Sequence, residues 1–176
     1  MPGPTFIDAE RVTLRPVERD DAEFLQRGWS DPAVRVPLGL SRPNNQAQVE
    51  ERIQEWIEGE DSVTLAVCLD GKPIGDVTVK DLDDTRPELA YWIAPEQHGE
   101  GYGSEAVSLV VEYVFDTFEK RGLVARAFAS NEASRALLEK LGFVEEGRLR
   151  DHRFVDGEYV DSIFYGLLRE EWVEDG

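Results

Sequence analysis

Three glycines within five residues, Gly99, Gly101 and Gly103, followed directly by Ser104, form the segment best suited to chemistry. Glycine accepts backbone angles closed to other residues and lets a ligand come against the main chain. The full turn reads Gln97-His98-Gly99-Glu100-Gly101-Tyr102-Gly103-Ser104, between a strand pattern ending at Ile93 and an apolar stretch beginning near Ser104. If that stretch is a helix, its first N–H groups lack intrahelical partners and carry partial positive charge. Such a turn holds a phosphate group through backbone donors and needs no lysine. Taken alone, it fits a plain structural turn equally well. Two phosphate-binding classes fit less well. A P-loop needs a lysine between its last glycine and Ser or Thr, and here Gly103 and Ser104 are adjacent. A dinucleotide fingerprint is G-x-G-x-x-G, and Gly103 comes one place early.

A second segment follows downstream: Asn131-Glu132-Ala133-Ser134-Arg135-Ala136-Leu137-Leu138-Glu139-Lys140-Leu141-Gly142-Phe143. Read by itself it is a capped helix. Asn131 caps the start, Ala136, Leu137 and Leu141 pack, and Gly142 ends it.

The elements that position these two segments are legible along the chain. Phe6 to Arg15 suits a strand with Val12 and Leu14 inside, ended by Arg15-Pro16. Asp20 or Asp21 caps a helix reaching about Trp29. A loop rich in proline and glycine is expected from Asp31 to Asn45, then a helix from Gln46 to Glu58 with Val49, Ile53, Trp56 and Ile57 on one face. Ser62 to Leu69 and Pro73 to Lys80 flank Asp70-Gly71, a strong hairpin signal. Glu88 to Ile93 is the next strand. The run from Ser104 to Phe118 is too long for a strand and reads as a buried helix. Leu123 to Ala129 reads as a strand, Glu132 to Leu141 as a helix, and Phe143–Val155 with Glu158–Leu168 as a hairpin turning at Asp156-Gly157. One mixed α/β domain over residues 1–176 is expected.

The order of these parts, with glycine turn, buried helix and strand followed by Asn-Glu-Ala-Ser and Lys-Leu-Gly-Phe, resembles the GCN5-related N-acetyltransferase (GNAT) superfamily. It is similar in particular to the branch that acetylates N-termini of ribosomal proteins. The likeness extends to the opening Arg11-Val12-Thr13-Leu14-Arg15-Pro16 and the closing Asp156-Gly157-Glu158-Tyr159-Val160-Asp161. The resemblance implies a mixed α/β sheet of about seven strands with about four helices, splayed between the strands ending at Ile93 and Ala129. It implies acetyl-CoA in the splay, its pantetheine arm paired with the backbone of Trp92, Ile93 and Ala94 as a false strand. The pyrophosphate would rest on Gly99, Glu100, Gly101, Tyr102, Gly103 and Ser104. A backbone N–H near Ile93 would polarise the thioester carbonyl. Asn131 would bond the pantetheine arm, and Arg135 and Lys140 would approach the outer phosphates.

Two departures stand out. His98 sits where the family turn usually has glutamine or arginine. Leu138 sits where many members carry a tyrosine that protonates the leaving thiolate. Ser134 matches the serine assigned that role in the ribosomal-protein branch, and is the expected proton donor to sulfur. The attacking amine must be neutral, so a base is expected. Glu88 on the strand beside the splay is the best-placed carboxylate by resemblance. His152 on the last hairpin titrates in a useful range, and Tyr165 is a further polar candidate. The expected reaction is direct transfer of acetyl to a primary amine, either a protein N-terminus or a small molecule. The rival reading is a non-catalytic acyl-CoA-binding module, which Leu138 would suit.

Composition bounds the partners. The net charge is −18, from 37 acidic and 19 basic residues. Such a surface repels nucleic acid and anionic membranes. It also suits concentrated salt, where self-repulsion is screened. The single cysteine, Cys68, excludes an internal disulfide and reads as a small apolar strand residue, and two histidines make a zinc site improbable. Met1-Pro2-Gly3-Pro4 lacks the basic start and apolar stretch of a signal peptide. A cytoplasmic enzyme without metal is expected, with family habit suggesting a homodimer. The acceptor walls are expected in Trp29 to Asn45 and in the last hairpin.

Overall fold

The computed structural model describes residues 1–175, apart from the side chains of residues 56–58 and 173–175. The expected packing of Trp56 and Ile57 therefore lies outside the described residues. The strands are β1 (Ile7–Asp8), β2 (Thr13–Pro16), β3 (Ser62–Leu69), β4 (Lys72–Lys80), β5 (Glu88–Ile93), β6 (Gly122–Phe128), β7 (Val144–Val155) and β8 (Glu158–Leu168). The α-helices are α1 (Ala22–Ser30), α2 (Pro32–Leu38), α3 (Gln46–Glu58), α4 (Tyr102–Thr117), α5 (Glu132–Lys140) and α6 (Arg169–Asp175).

The strands form one sheet in the order β1-β2-β3-β4-β5-β6-β8-β7. All neighbouring pairs are antiparallel except β5 and β6, which run parallel and pair only at Glu88–Val124 and Leu89–Ala125. Beyond Leu89 the two strands part, and this opening is the expected splay. It exists because β6 turns instead to pair fully with β8, from Gly122–Leu168 to Phe128–Ser162.

Two apolar cores lie on opposite faces of the sheet. One gathers α4 residues such as Val107, Val111 and Val114 with Leu138 of α5 and strand residues including Leu89 and Ile93. The other joins Leu25, Val49 and Ile53 of the first helices to Ala66, Cys68 and Trp92. Alternation along β5 thus sends Ile93 to one core and Trp92 to the other. Cys68 is fully buried, and burial pushes its thiol up to about 11, which suits a packing role.

Most sequence-derived elements fall within two residues of their observed ends. Four expectations change. The opening strand is broken into the short hairpin of β1 and β2. The segment expected as a loop after Asp31 contains α2. Asp31 caps that helix by accepting from Ala33 N–H at 2.9 Å, and Pro32 occupies its first turn, where a proline costs no hydrogen bond. The C-terminal α6 adds a further helix. Among the described residues the sheet has eight strands rather than about seven, and there are six α-helices rather than about four.

One glycine shows how tightly the second core is built. Gly28 in α1 lies against the Trp92 ring, so that a Cβ there would stand 2.2 Å from a ring carbon. Trp92 also stacks on Phe24 with ring centres 5.3 Å apart. Its Nε1–H donates to Asp76 Oδ2 at 2.6 Å.

Candidate active site

The splay between β5 and β6 opens into a cavity of about 450 Å³. Its walls come from α2, β5, the glycine turn, Arg126 of β6, and α5. Of the expected residues, Trp92, Ile93, His98, Gly99, Gly101, Tyr102, Gly103, Ser104, Asn131, Ser134 and Lys140 line it. Ala94, Glu100, Arg135, Glu88 and His152 do not. The last hairpin contributes no lining residue among those described, contrary to expectation, whereas α2 presents Val34 and Leu38.

The glycine turn has the backbone that its residues suggest. Gly99 and Gly101 have φ of 81° and 83°, in the left-handed region that favours glycine. Gly101 is the N-cap of α4 and supplies no side-chain cap. The first N–H groups of this 16-residue helix are therefore left as donors at the cavity edge. A phosphate group fits that arrangement, because the unmet donors and the helix dipole act together.

A residue outside the sequence-derived site holds this turn in place. Arg11 donates from Nη1 to the Glu100 carbonyl at 2.8 Å and from Nε to Glu105 Oε2 at 2.7 Å. Its guanidinium also lies 5.1 Å from the Tyr102 ring centre. Only the opening strand's similarity to the family pointed to Arg11, and nothing local assigned it a task.

At the other end of the turn, His98 Nε2 lies 2.6 Å from the Ile93 carbonyl oxygen. Ala94 N–H is spent on Ile74 O in β4 at 2.7 Å. Because alternate residues of a strand direct their backbone groups to opposite edges, the Ile93 N–H and C=O face the splay. The N–H is thus directed into the space between β5 and β6. The C=O already has a partner, so an arm pairing along β5 must share or displace the His98 contact.

Ser134 sits at the start of α5. Asn131 Oδ1 accepts from Ser134 N–H at 3.2 Å and so caps the helix, leaving the Asn131 amide NH₂ as the donor available to the cavity. Ser134 Oγ is 2.7 Å from the Tyr91 hydroxyl. Burial pushes the Tyr91 phenol up to about 12, so it remains protonated across the physiological range. Tyr91 was not among the sequence-derived candidates. Its position in β5 gave no cue, because it meets Ser134 only across the splay. Leu138, where many relatives carry tyrosine, is fully buried in the core.

Two basic residues have different fates. Lys140 lines the cavity. Arg135, expected near the outer phosphates, instead donates to the Tyr165 hydroxyl at 3.1 Å and to Ala129 O at 3.1 Å. Tyr165 is fully buried, and its hydroxyl also bonds Glu139 Oε1 at 3.3 Å. Both therefore brace α5 against β6 and β8.

The candidate bases do not line the cavity. Glu88 is engaged by Arg126, whose Nε donates to Oε1 at 2.9 Å. His152 places Nδ1 2.8 Å from Ser162 Oγ, at an irregularity of β7, and its ring lies 6.3 Å from that of Phe164. The Phe164 ring in turn lies 6.0 Å from the Arg126 guanidinium.

Known proteins of this kind share both sequence and architecture with the chain. Residues 11–144 match the Acetyltransferase (GNAT) domain. The putative ribosomal N-acetyltransferase YdaF of Bacillus subtilis (strain 168) is 31% identical, over 93% of this chain and 94% of its own. A crystal structure of a probable acetyltransferase superposes with a TM-score of 0.84 at 30% identity, covering 96% of this chain and 99% of the other. Spermidine N-acetyltransferase from Vibrio cholerae, solved with CoA and spermine, has a TM-score of 0.85 at 24% identity, covering 93% and 98%. That last likeness is one of fold. With the glycine turn, the splay and the Ile93 N–H in place, the chain belongs to the GNAT acetyltransferase family and is an acetyl-CoA-dependent N-acetyltransferase.

Proposed function

We propose that the protein transfers acetyl to a primary amine by direct attack, with Ser134 as proton donor to the departing sulfur. The observation that carries this reading is the Tyr91–Ser134 hydroxyl pair at 2.7 Å on the cavity wall. In this reading the Tyr91 phenol, kept neutral by burial, gives its proton to Ser134 Oγ at 2.7 Å in preference to the Ser134 carbonyl at 3.3 Å, which leaves the serine's own proton for the cavity. Acetyl-CoA supplies the activated thioester. The turn from Gly99 to Ser104 and the Asn131 amide hold it, with Lys140 near its phosphates. In the transfer the C–N bond forms as the C–S bond breaks. The amine gives up one proton and the sulfur receives another.

Glu88 is held by Arg126, so this reading gives the task of base to His152, whose Nε2 has no partner among the described residues. Release of CoA thiol with a panel of primary amines tests the whole reading, run beside Ser134→Ala and His152→Gln. Turnover undiminished in Ser134→Ala would remove that serine from the mechanism. Undiminished kcat/KM in His152→Gln would remove the histidine. Binding of acetyl-CoA without turnover of any amine would favour the non-catalytic module.

The acceptor in this reading is a protein N-terminus or a small amine, handled by a cytoplasmic homodimer. Exposed Phe154 and Tyr159 on the edge hairpin, 63% and 68% accessible, are apolar surface that a second copy would cover. Sedimentation of the free protein checks the assembly, and a monomer at all concentrations would exclude it.

A further inference from the structure

The sequence has nearly twice as many acidic as basic residues, yet among the described residues no carboxylate side chain lines the cavity. The charged lining residues are Arg126 and Lys140. Lys140 belongs to α5 and the cofactor side. Arg126 lies on β6 just past the point where β5 and β6 part, since pairing ends at Leu89–Ala125.

Arg126 is fixed from two directions. Its Nε donates to Glu88 Oε1 at 2.9 Å, and its guanidinium stands 6.0 Å from the Phe164 ring centre. The two terminal Nη groups have no protein partner among the described residues. An arginine held by Nε offers its remaining end as two parallel donors, the geometry that matches a carboxylate. Because Glu88 restrains the side chain before ligand arrives, little rotamer freedom is lost on binding.

We propose that Arg126 reads the acceptor: this enzyme acetylates amines that carry a carboxylate, which pairs with the Nη end of Arg126. This rests on the acetyltransferase reading and narrows its acceptor. A polyamine is disfavoured by the same geometry. Its further positive charges would meet Arg126 and Lys140 and find no carboxylate in the cavity wall. Two sources supply such a carboxylate, a free amino acid and an acidic residue beside a peptide N-terminus.

The test is an acceptor series with acetyl-CoA in excess: alanine against alanine amide, a dipeptide amide carrying aspartate against one carrying asparagine, and spermidine. The expected result is a preference of about tenfold or more in kcat/KM for the carboxylated member of at least one pair, the effect of one charge-assisted contact. Which pair shows it distinguishes the two sources. In Arg126→Gln that preference disappears while KM for acetyl-CoA stays unchanged. Arg126→Lys, which keeps the charge but loses the paired donors, retains part of it. Unfolding temperature and acetyl-CoA binding identify any variant that is merely misfolded, and the wild-type series decides the proposal on its own. Equal rates within both pairs, or spermidine as the best acceptor, would overturn it and leave the transferase intact. No turnover of any amine would overturn both.

Discussion

The hydroxyls of Tyr91 and Ser134 meet at 2.7 Å across the splay, one from β5 and the other from the first turn of α5. Leu138 is buried and has no proton to give, yet a phenol reaches the cavity from β5. If Ser134 donates to sulfur, Ser134→Ala lowers kcat by about a hundredfold, within the usual range for general acid catalysis, with KM for acetyl-CoA little changed. Tyr91→Phe has a smaller effect, and the double variant resembles Ser134→Ala, because the two groups act through one proton. Steady-state kinetics on the three variants checks this, and additive losses would count against the pair.

Arg11, between β1 and β2, ties the opening hairpin to the glycine turn through the Glu100 carbonyl and Glu105. Arg11→Ala should leave Gly99 and Gly101 in place but unrestrained. A rise in KM for acetyl-CoA of about tenfold is expected, the worth of a charged hydrogen bond, with kcat less affected. Isothermal titration with CoA separates this from a folding defect.

Asp76 is buried against Trp92 and Thr78, and burial pushes its carboxyl up to about 6. The sign follows directly. Between about pH 4 and 6 the folded protein holds a proton that the unfolded chain has lost, so stability falls as pH rises through that window. Asp76→Asn keeps an acceptor for the indole N–H and removes the titration. Relative to wild type it gains up to about 3 kcal/mol above pH 6 and nothing near pH 4. Urea unfolding at pH 4 and pH 7.5 measures the difference, and an equal shift at both would refute the assignment.

A net charge of −18 on 176 residues implies self-repulsion that salt relieves. Stability should therefore rise from low to high salt, beyond the point where a neutral osmolyte at matched concentration has any effect. Maximal stability at low salt would exclude adaptation to a saline setting.

The local backbone of the donor site was legible in the sequence. Glycines at 99 and 101 adopt positive φ because few other residues can, Asn131 caps because its side chain reaches its own helix, and Asp70-Gly71 turns the hairpin for similar reasons. Each depends on neighbours a few residues away. The loop expected after Asp31 was the local misreading, since Pro32 opens α2 instead of interrupting it.

The interactions that equip the cavity could not be read that way. Arg11 finds a glutamate 94 positions on, Tyr91 a serine 43 positions on, and Arg126 a glutamate 38 positions back. These meetings follow from sheet order, and above all from β6 leaving β5 after Leu89–Ala125 to pair with β8. The sequence by itself determined the left-handed glycines and the helix start without a side-chain cap, a backbone that suits a phosphate group, because those conformations are local. Only the tertiary structure decided which side chains line the cavity between β5 and β6. Those contacts depend on how distant strands are brought together, and no short-range pattern records it.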